Sequence, residues 1–139
     1  MGSLERSVTT LRIFGDTLVP SEISALLGAE PTHSSTKGQL LASASVSGTR
    51  VAKSGSWRLR ATDTKPENVD QQVSELLAQL TKDLSVWLAL SRRYKVDLFC
   101  GWFMGSRNEG VELTPRTLTA LGERGISLSL DIYAPDRDA

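Results

Sequence analysis

"KVDLFCGWFMG", Lys95–Gly105, is the stretch that decides the fold. In an extended chain Val96, Leu98, Cys100, Trp102 and Met104 fall on one side, and Asp97, Phe99, Gly101 and Phe103 on the other. Both sides are largely apolar, which suits a central strand covered on both faces. The segments on either side of it must then supply helices and further strands.

Upstream lies "KPENVDQQVSELLAQLTKDLSVWLALSRRY", residues 65–94. Val69, Val73, Leu76, Leu77, Leu80, Leu84, Trp87 and Leu88 recur at steps of three and four, the period of an amphipathic helix. Pro66 is expected at the first helical position, with Glu67 and Asp70 in the first turn and Arg92 and Arg93 in the last. One straight helix over residues 66–93 would run about 40 Å at 1.5 Å per residue. That is long for one small domain, so a break is expected near Asp83-Leu84-Ser85.

Downstream, "SRNEG" reads as a turn and "LTPRTLTALGERG", Leu113–Gly125, as a helix. Thr114 is its N-cap, Pro115 its first residue, and Gly122 or Gly125 its end. "ISLSLDIY" is a strand with Ile126, Leu128, Leu130 and Ile132 facing inward and Ser127, Ser129, Asp131 and Tyr133 outward. "APDRDA" is a tail.

Near the N-terminus, "SVTTLRIFG" alternates Leu11 and Ile13 against Arg12 and Phe14, a strand pattern. "LVPSEISALLG", Leu18–Gly28, then repeats the helix grammar of Leu113–Gly125: a Pro in the first turn, a stripe of Ile23, Leu26 and Leu27, and a Gly stop. The shared L-x-P marks two helix starts, and it suggests two pseudo-symmetric βαβ units flanking the long helix. "THSSTK", Thr32–Lys37, reads as a polar loop and "GQLLASASVSG" as a weak strand. "SGSWRLRAT" places Trp57, Leu59 and Ala61 on one face and Arg58 and Arg60 on the other. These last two segments read as a hairpin around "SGTRVAKSG".

The element order is β-α-β-β-α-β-α-β. It predicts an α+β fold, a two-layer sandwich with a ferredoxin-like βαββαβ core and an extra αβ unit. The sheet is expected to be mixed and largely antiparallel, with helices on one face. One domain is expected over residues 1–139, with an ordered core from about 8 to 134, a short N-terminal arm and a C-terminal tail.

Four quoted pieces, "GDTLVPSEISALLGAEP", "KG" at Lys37-Gly38, "GSWRL" at Gly55–Leu59 and "LDIY" at Leu130–Tyr133, together resemble the bacterial family labelled DUF4279. The resemblance runs from Leu11 to Tyr133 and implies a small stand-alone α+β domain. The family has no assigned activity, so the resemblance transfers no catalytic residue.

Composition narrows the function. Lys and Arg number 16, as do Asp and Glu, so the basic excess typical of nucleic-acid binding is missing. One Cys and one His allow no internal disulfide and no zinc site of the usual kind within the chain. No apolar run approaches the roughly 18 residues of a membrane span, and no secretory leader is visible, so a cytoplasmic protein is expected. His33 lies in a polar stretch without an elbow or oxyanion signature and reads as an ordinary loop histidine; Cys100 reads as a buried, inert thiol. "GDTLVPSE" and "GERG" lack phosphate-loop spacing. The basic "SRRYK" is explained by the dipole at a helix end. No catalytic residue, metal ligand or cofactor is assigned.

The second face of the sheet is the candidate site. It should carry Arg12, Phe14, Arg58, Arg60, Phe99, Phe103, Ser127, Asp131 and Tyr133, and Arg and aromatic residues are enriched at interfaces. Either this face is open, or a loop, the N-terminal arm or the tail covers it. The favoured reading is a non-enzymatic protein-interaction module that binds a protein partner or a second copy. The alternative is a small-ligand or nucleotide-related binding or catalytic domain with a pocket near Thr32–Lys37, Trp57 and Tyr133.

Overall fold

The structure, a computed structural model, describes residues 2–42 and 49–136. Along the chain run β1 (Gly2–Ser3), β2 (Arg6–Gly15), α1 (Pro20–Leu27), β3 (His33–Ser35), β4 (Leu40–Ala42), β5 (Thr49–Val51) and β6 (Gly55–Arg60). Then follow α2 (Val69–Ala78), α3 (Leu84–Arg93), β7 (Lys95–Phe103), β8 (Glu109–Gly110), α4 (Pro115–Glu123) and β9 (Ser127–Tyr133). The fold is α+β. Its five-stranded sheet has the order β3-β6-β2-β7-β9, antiparallel throughout except for the parallel pair β7–β9.

One set of alternate residues forms the core. Leu11 and Ile13 of β2, Trp57 and Leu59 of β6, and Val96, Leu98 and Cys100 of β7 pack with Ile23 and Leu27 of α1, Val73 and Leu76 of α2, Trp87 and Leu90 of α3, and Leu121 of α4. All four helices thus contribute to a single cluster against the same face of the sheet. Two tryptophans pin helices through their indole N–H groups: Trp57 donates to Ser24 Oγ at 3.0 Å, and Trp87 to the Thr81 carbonyl at 2.9 Å. Gln72 of α2 accepts from the hydroxyls of Ser7 and Thr9 on β2 and donates to the carbonyls of Ser7 and Thr62. This buried polar patch is fully paired, so it costs little desolvation and fixes where α2 sits on the sheet.

The helix starts follow the sequence closely. Pro20 opens α1, which ends at Gly28 with φ 81°, a left-handed conformation that glycine adopts freely. Thr114 caps α4 through its hydroxyl, and Pro115 is its first residue. The expected break in the long apolar stripe lies at Gln79–Asp83, where Asp83 caps α3 by accepting from Ser85.

Other expectations are corrected. Pro66 precedes the helix, because Asn68 is the cap of α2 and accepts from the Gln71 N–H; Glu67 also lies outside it. His33–Ser35 is a strand at the sheet edge. Its side chains are mostly solvated, so the residues carry no apolar alternation to signal it. The hairpin partners also differ: β6 pairs with β3 and β2, whereas Leu40–Ala42 pairs with Thr49–Val51 in a separate two-stranded excursion. Residues 43–48 of "GQLLASASVSG" lie outside the described residues, as do the last three of the tail. Within "SRNEG", Glu109–Gly110 pairs with Gly2–Ser3, and Leu4 is buried, which ties the expected N-terminal arm to the body.

Leu130 and Ile132, expected to face inward, are 43% and 54% exposed. Helix α4 has nine residues, about 14 Å, whereas the seven residues of β9 run about 23 Å. The helix therefore covers Ile126 and part of Leu128, and the end of this edge strand projects beyond it. The two L-x-P units also differ: β7 and β9 are direct neighbours, but β6 is inserted between β2 and β3.

Candidate functional site: the second face of the sheet

Cross-strand register brings the nine candidate residues onto one face, Ser127 among them, opposite Asp97. Arg12 stands opposite both Arg58 and Asp97; Thr10 opposite both Arg60 and Phe99; Phe103 opposite both Arg6 and Tyr133; Gly101 opposite Asp131. Phe14, two residues from Arg12, shares this face. None of these side chains belongs to the helix-side core.

At the centre is a fixed guanidinium. Arg12 donates from Nε and Nη2 to the two carboxylate oxygens of Asp97 at 2.8 and 2.7 Å, and Ser129 Oγ donates to Asp97 Oδ2 at 3.0 Å. The Asp97 side chain is 0% exposed and that of Arg12 20% exposed. The Arg12 guanidinium also lies 4.2 Å from the Phe99 ring centre and 5.0 Å from that of Phe14, while Arg58 lies 5.3 Å from Phe14. Bidentate pairing plus contact with two aromatic faces holds Arg12 in one conformation.

At the β9 side, Phe103 and Tyr133 stack with ring centres 4.6 Å apart, and Arg6 lies over Phe103 at 4.9 Å. The Tyr133 hydroxyl donates to Asp131 at 2.7 Å, and that bond, strengthened by the carboxylate's charge, raises the phenol above its ordinary pKa. Arg60 turns to Asp63, which also accepts from Arg6. Burial pushes the Asp63 carboxyl up, but the bonds from Arg60 and Arg6 outweigh it and hold the group below the ordinary carboxylate range. Arg58 differs from the other arginines. Partial burial lowers its pKa first, the positive charges of Arg12 and Arg50 lower it further, and Asp97 opposes them.

Trp57, Tyr133 and the Thr32–Lys37 segment do not line one pocket. Trp57 is fully buried on the helix side, and Tyr133 belongs to the Phe103 end of the open face. The His33–Ser35 part of that segment reaches a cavity elsewhere. It borders a groove of about 770 Å³ between the open face and the β4–β5 excursion. Phe14 and Arg58 line the groove on the sheet side, and Leu41, Arg50, Val51 and Lys53 on the hairpin side. Cys100 is buried, as expected, and desolvation pushes its thiol up to about 11.

Some contributors to the face lie outside the candidate residues above. Asp97 is visible as an acid inside an apolar strand, a position that demands a partner. Arg6 precedes the stretch that reads as the first strand. Arg50 and Lys53 depend on the register of the β4–β5 excursion, which no local signal fixes.

Residues 5–135 match the family model described as a domain of unknown function, DUF4279. The chain belongs to the DUF4279 family. No curated protein and no solved structure matches the chain. In this DUF4279 protein no helix among the described residues is long and apolar enough to cross a membrane.

Proposed function

We propose that this DUF4279 protein is a non-enzymatic binding module that docks a partner protein on the second face of its sheet. The carrying observation is the ordered, partly exposed ladder of Arg12, Phe14 and Phe99 with the Phe103–Tyr133 stack beside it. Side chains already held in place lose little entropy on binding, and Arg and aromatic groups are the types that dominate interface energies. A zero net charge favours a protein partner over nucleic acid. The same reading takes the fold as one domain, a two-layer ferredoxin-like core with an added α4–β9 unit. The order β3-β6-β2-β7, with β9 appended at one edge, supports that part. The single buried thiol fits a cytoplasmic setting.

The test is affinity capture with wild type and an Arg58→Glu/Phe103→Ala variant whose unfolding curve matches wild type. Loss of one specific partner in the variant supports the reading. Equal recovery of every captured protein refutes it.

A further inference from the structure

The groove beneath the β4–β5 excursion concentrates positive charge that no salt bridge among the described residues offsets. Arg50, Lys53 and Arg58 all line it, and among the described residues no carboxylate does. Among the described residues none of the three forms a salt bridge. Both oxygens of the nearest acid that acts on Arg58, Asp97, are already taken by Arg12. Arg50 lies close enough to Arg58 to add to the lowering of its pKa, so two like charges face one cavity. Such like charges repel one another, and an anion between them turns the repulsion into attraction. The rest of the lining is mixed in a useful way. Phe14, Leu41 and Val51 offer apolar walls, and His33, Ser35 and Ser56, on the same face as Arg58, supply further polar groups. A volume of about 770 Å³ lies within the ordinary range for small-molecule sites.

We infer that this groove is a binding site for a small organic dianion with an apolar or aromatic body, its charged end held by Arg50, Lys53 and Arg58 and its body against Phe14, Leu41 and Val51. Three cations against two negative charges leave the occupied site with a single formal positive charge. A phosphate monoester and a dicarboxylate share this chemistry. The site is separate from the Phe103–Tyr133 end of the face: Lys95, opposite Phe14, and Phe103 are eight residues apart on β7, about 26 Å.

The experiment titrates the full chain at low salt with phenyl phosphate, phthalate, inorganic phosphate and neutral benzamide, following amide chemical shifts. Phenyl phosphate or phthalate should saturate with a Kd below about 1 mM, and the tighter of the two identifies the headgroup. Inorganic phosphate, lacking the body, should bind about tenfold more weakly, and benzamide not at all. Arg50→Gln/Lys53→Gln should weaken the organic dianion about tenfold or more. Both residues lie on the exposed excursion outside the core. Lys53→Gln alone repeats the test if the double variant unfolds early. Failure of both organic anions to saturate, or unchanged binding by the Gln variants, overturns the site. Phe103→Ala should leave anion binding intact and Arg50→Gln/Lys53→Gln should leave partner capture intact, so this site and the partner-docking reading fail separately.

Discussion

Arg12 and Asp97 face each other across β2 and β7 and meet through two hydrogen bonds at 2.8 and 2.7 Å. The partners are unequally buried: the carboxylate has no exposure and the guanidinium keeps 20%. Removing Arg12 therefore strands a buried charge, whereas removing Asp97 leaves a cation that reaches water. Arg12→Met should cost about 3–5 kcal/mol, and Asp97→Asn clearly less. Urea unfolding of both single variants and of the double variant checks this. Equal costs for the two singles, or an additive double, would show that the pair is not coupled as its burial implies.

Gln72 ties α2 to β2 through four hydrogen bonds, two accepted and two donated. Gln72→Leu keeps the volume roughly constant but takes the donor from the Thr62 carbonyl and leaves the Ser7 and Thr9 hydroxyls only Thr64 Oγ1 and Cys100 Sγ as partners. The expected loss is about 3 kcal/mol, against about 1 for Ser7→Ala, which removes one partner together with its need. Thermal unfolding followed by circular dichroism measures both. A Gln72→Leu protein as stable as wild type would mean that the hydrogen bonds add nothing beyond packing.

Where a residue's position follows from local chemistry, the chain could be read directly. Pro20, Gly28, Thr114 and Pro115 stop or start helices for reasons contained within four residues, and alternation placed Arg12, Phe14, Phe99 and Phe103 on the correct side of the sheet. What escaped was set by distant partners. His33–Ser35 becomes a strand only because β6 is there to pair with it. Asp97 is tolerable in an apolar strand only because Arg12 stands opposite, a register no local pattern specifies. The basic groove arises from β4–β5 folding back near Arg58, and neither its cations nor its walls are adjacent in sequence.

Leu130 on β9, on the core side of the sheet but beyond the reach of α4, gives a direct contrast with Leu98 on the adjacent strand β7. Leu98 is buried and Leu130 is 43% exposed. Leu98→Ala should cost about 2–5 kcal/mol and Leu130→Ala about 1 or less. Denaturant midpoints for the pair decide it. A Leu130→Ala loss as large as that of Leu98→Ala would mean that the end of β9 is covered.

The Cys100 thiol is raised from 9.0 to about 11 by burial, with the Thr9 hydrogen bond opposing and the Asp97 charge adding to the rise. A raised folded-state value means that the native protein holds this proton more tightly than the unfolded chain. Stability from this group is therefore complete below pH 9.0 and is lost progressively as the pH climbs toward about 11. Cys100→Ala should remove that component of the alkaline decline in unfolding free energy. Iodoacetamide at pH 8 should alkylate the thiol only in urea. Rapid native-state labelling would contradict its burial.

Two glycines should respond in opposite directions to the same substitution. A Cβ on Gly55 would lie 2.7 Å from the Gly15 carbonyl oxygen and 2.8 Å from that of Leu18, both backbone atoms with no room to retreat. Gly55→Ala must therefore push β6 away from the β2–α1 turn, and the strain should exceed about 2 kcal/mol. Gly122 sits inside α4, where an added methyl would meet no neighbouring group within 4 Å and the backbone has no positive φ. There alanine removes backbone freedom from the unfolded chain and favours the helix, so Gly122→Ala should gain about 0.5–1 kcal/mol. Parallel melting curves give both signs at once. A neutral Gly55→Ala would mean that β6 and the Gly15–Leu18 turn do not approach as closely as the packing of the β2 end requires.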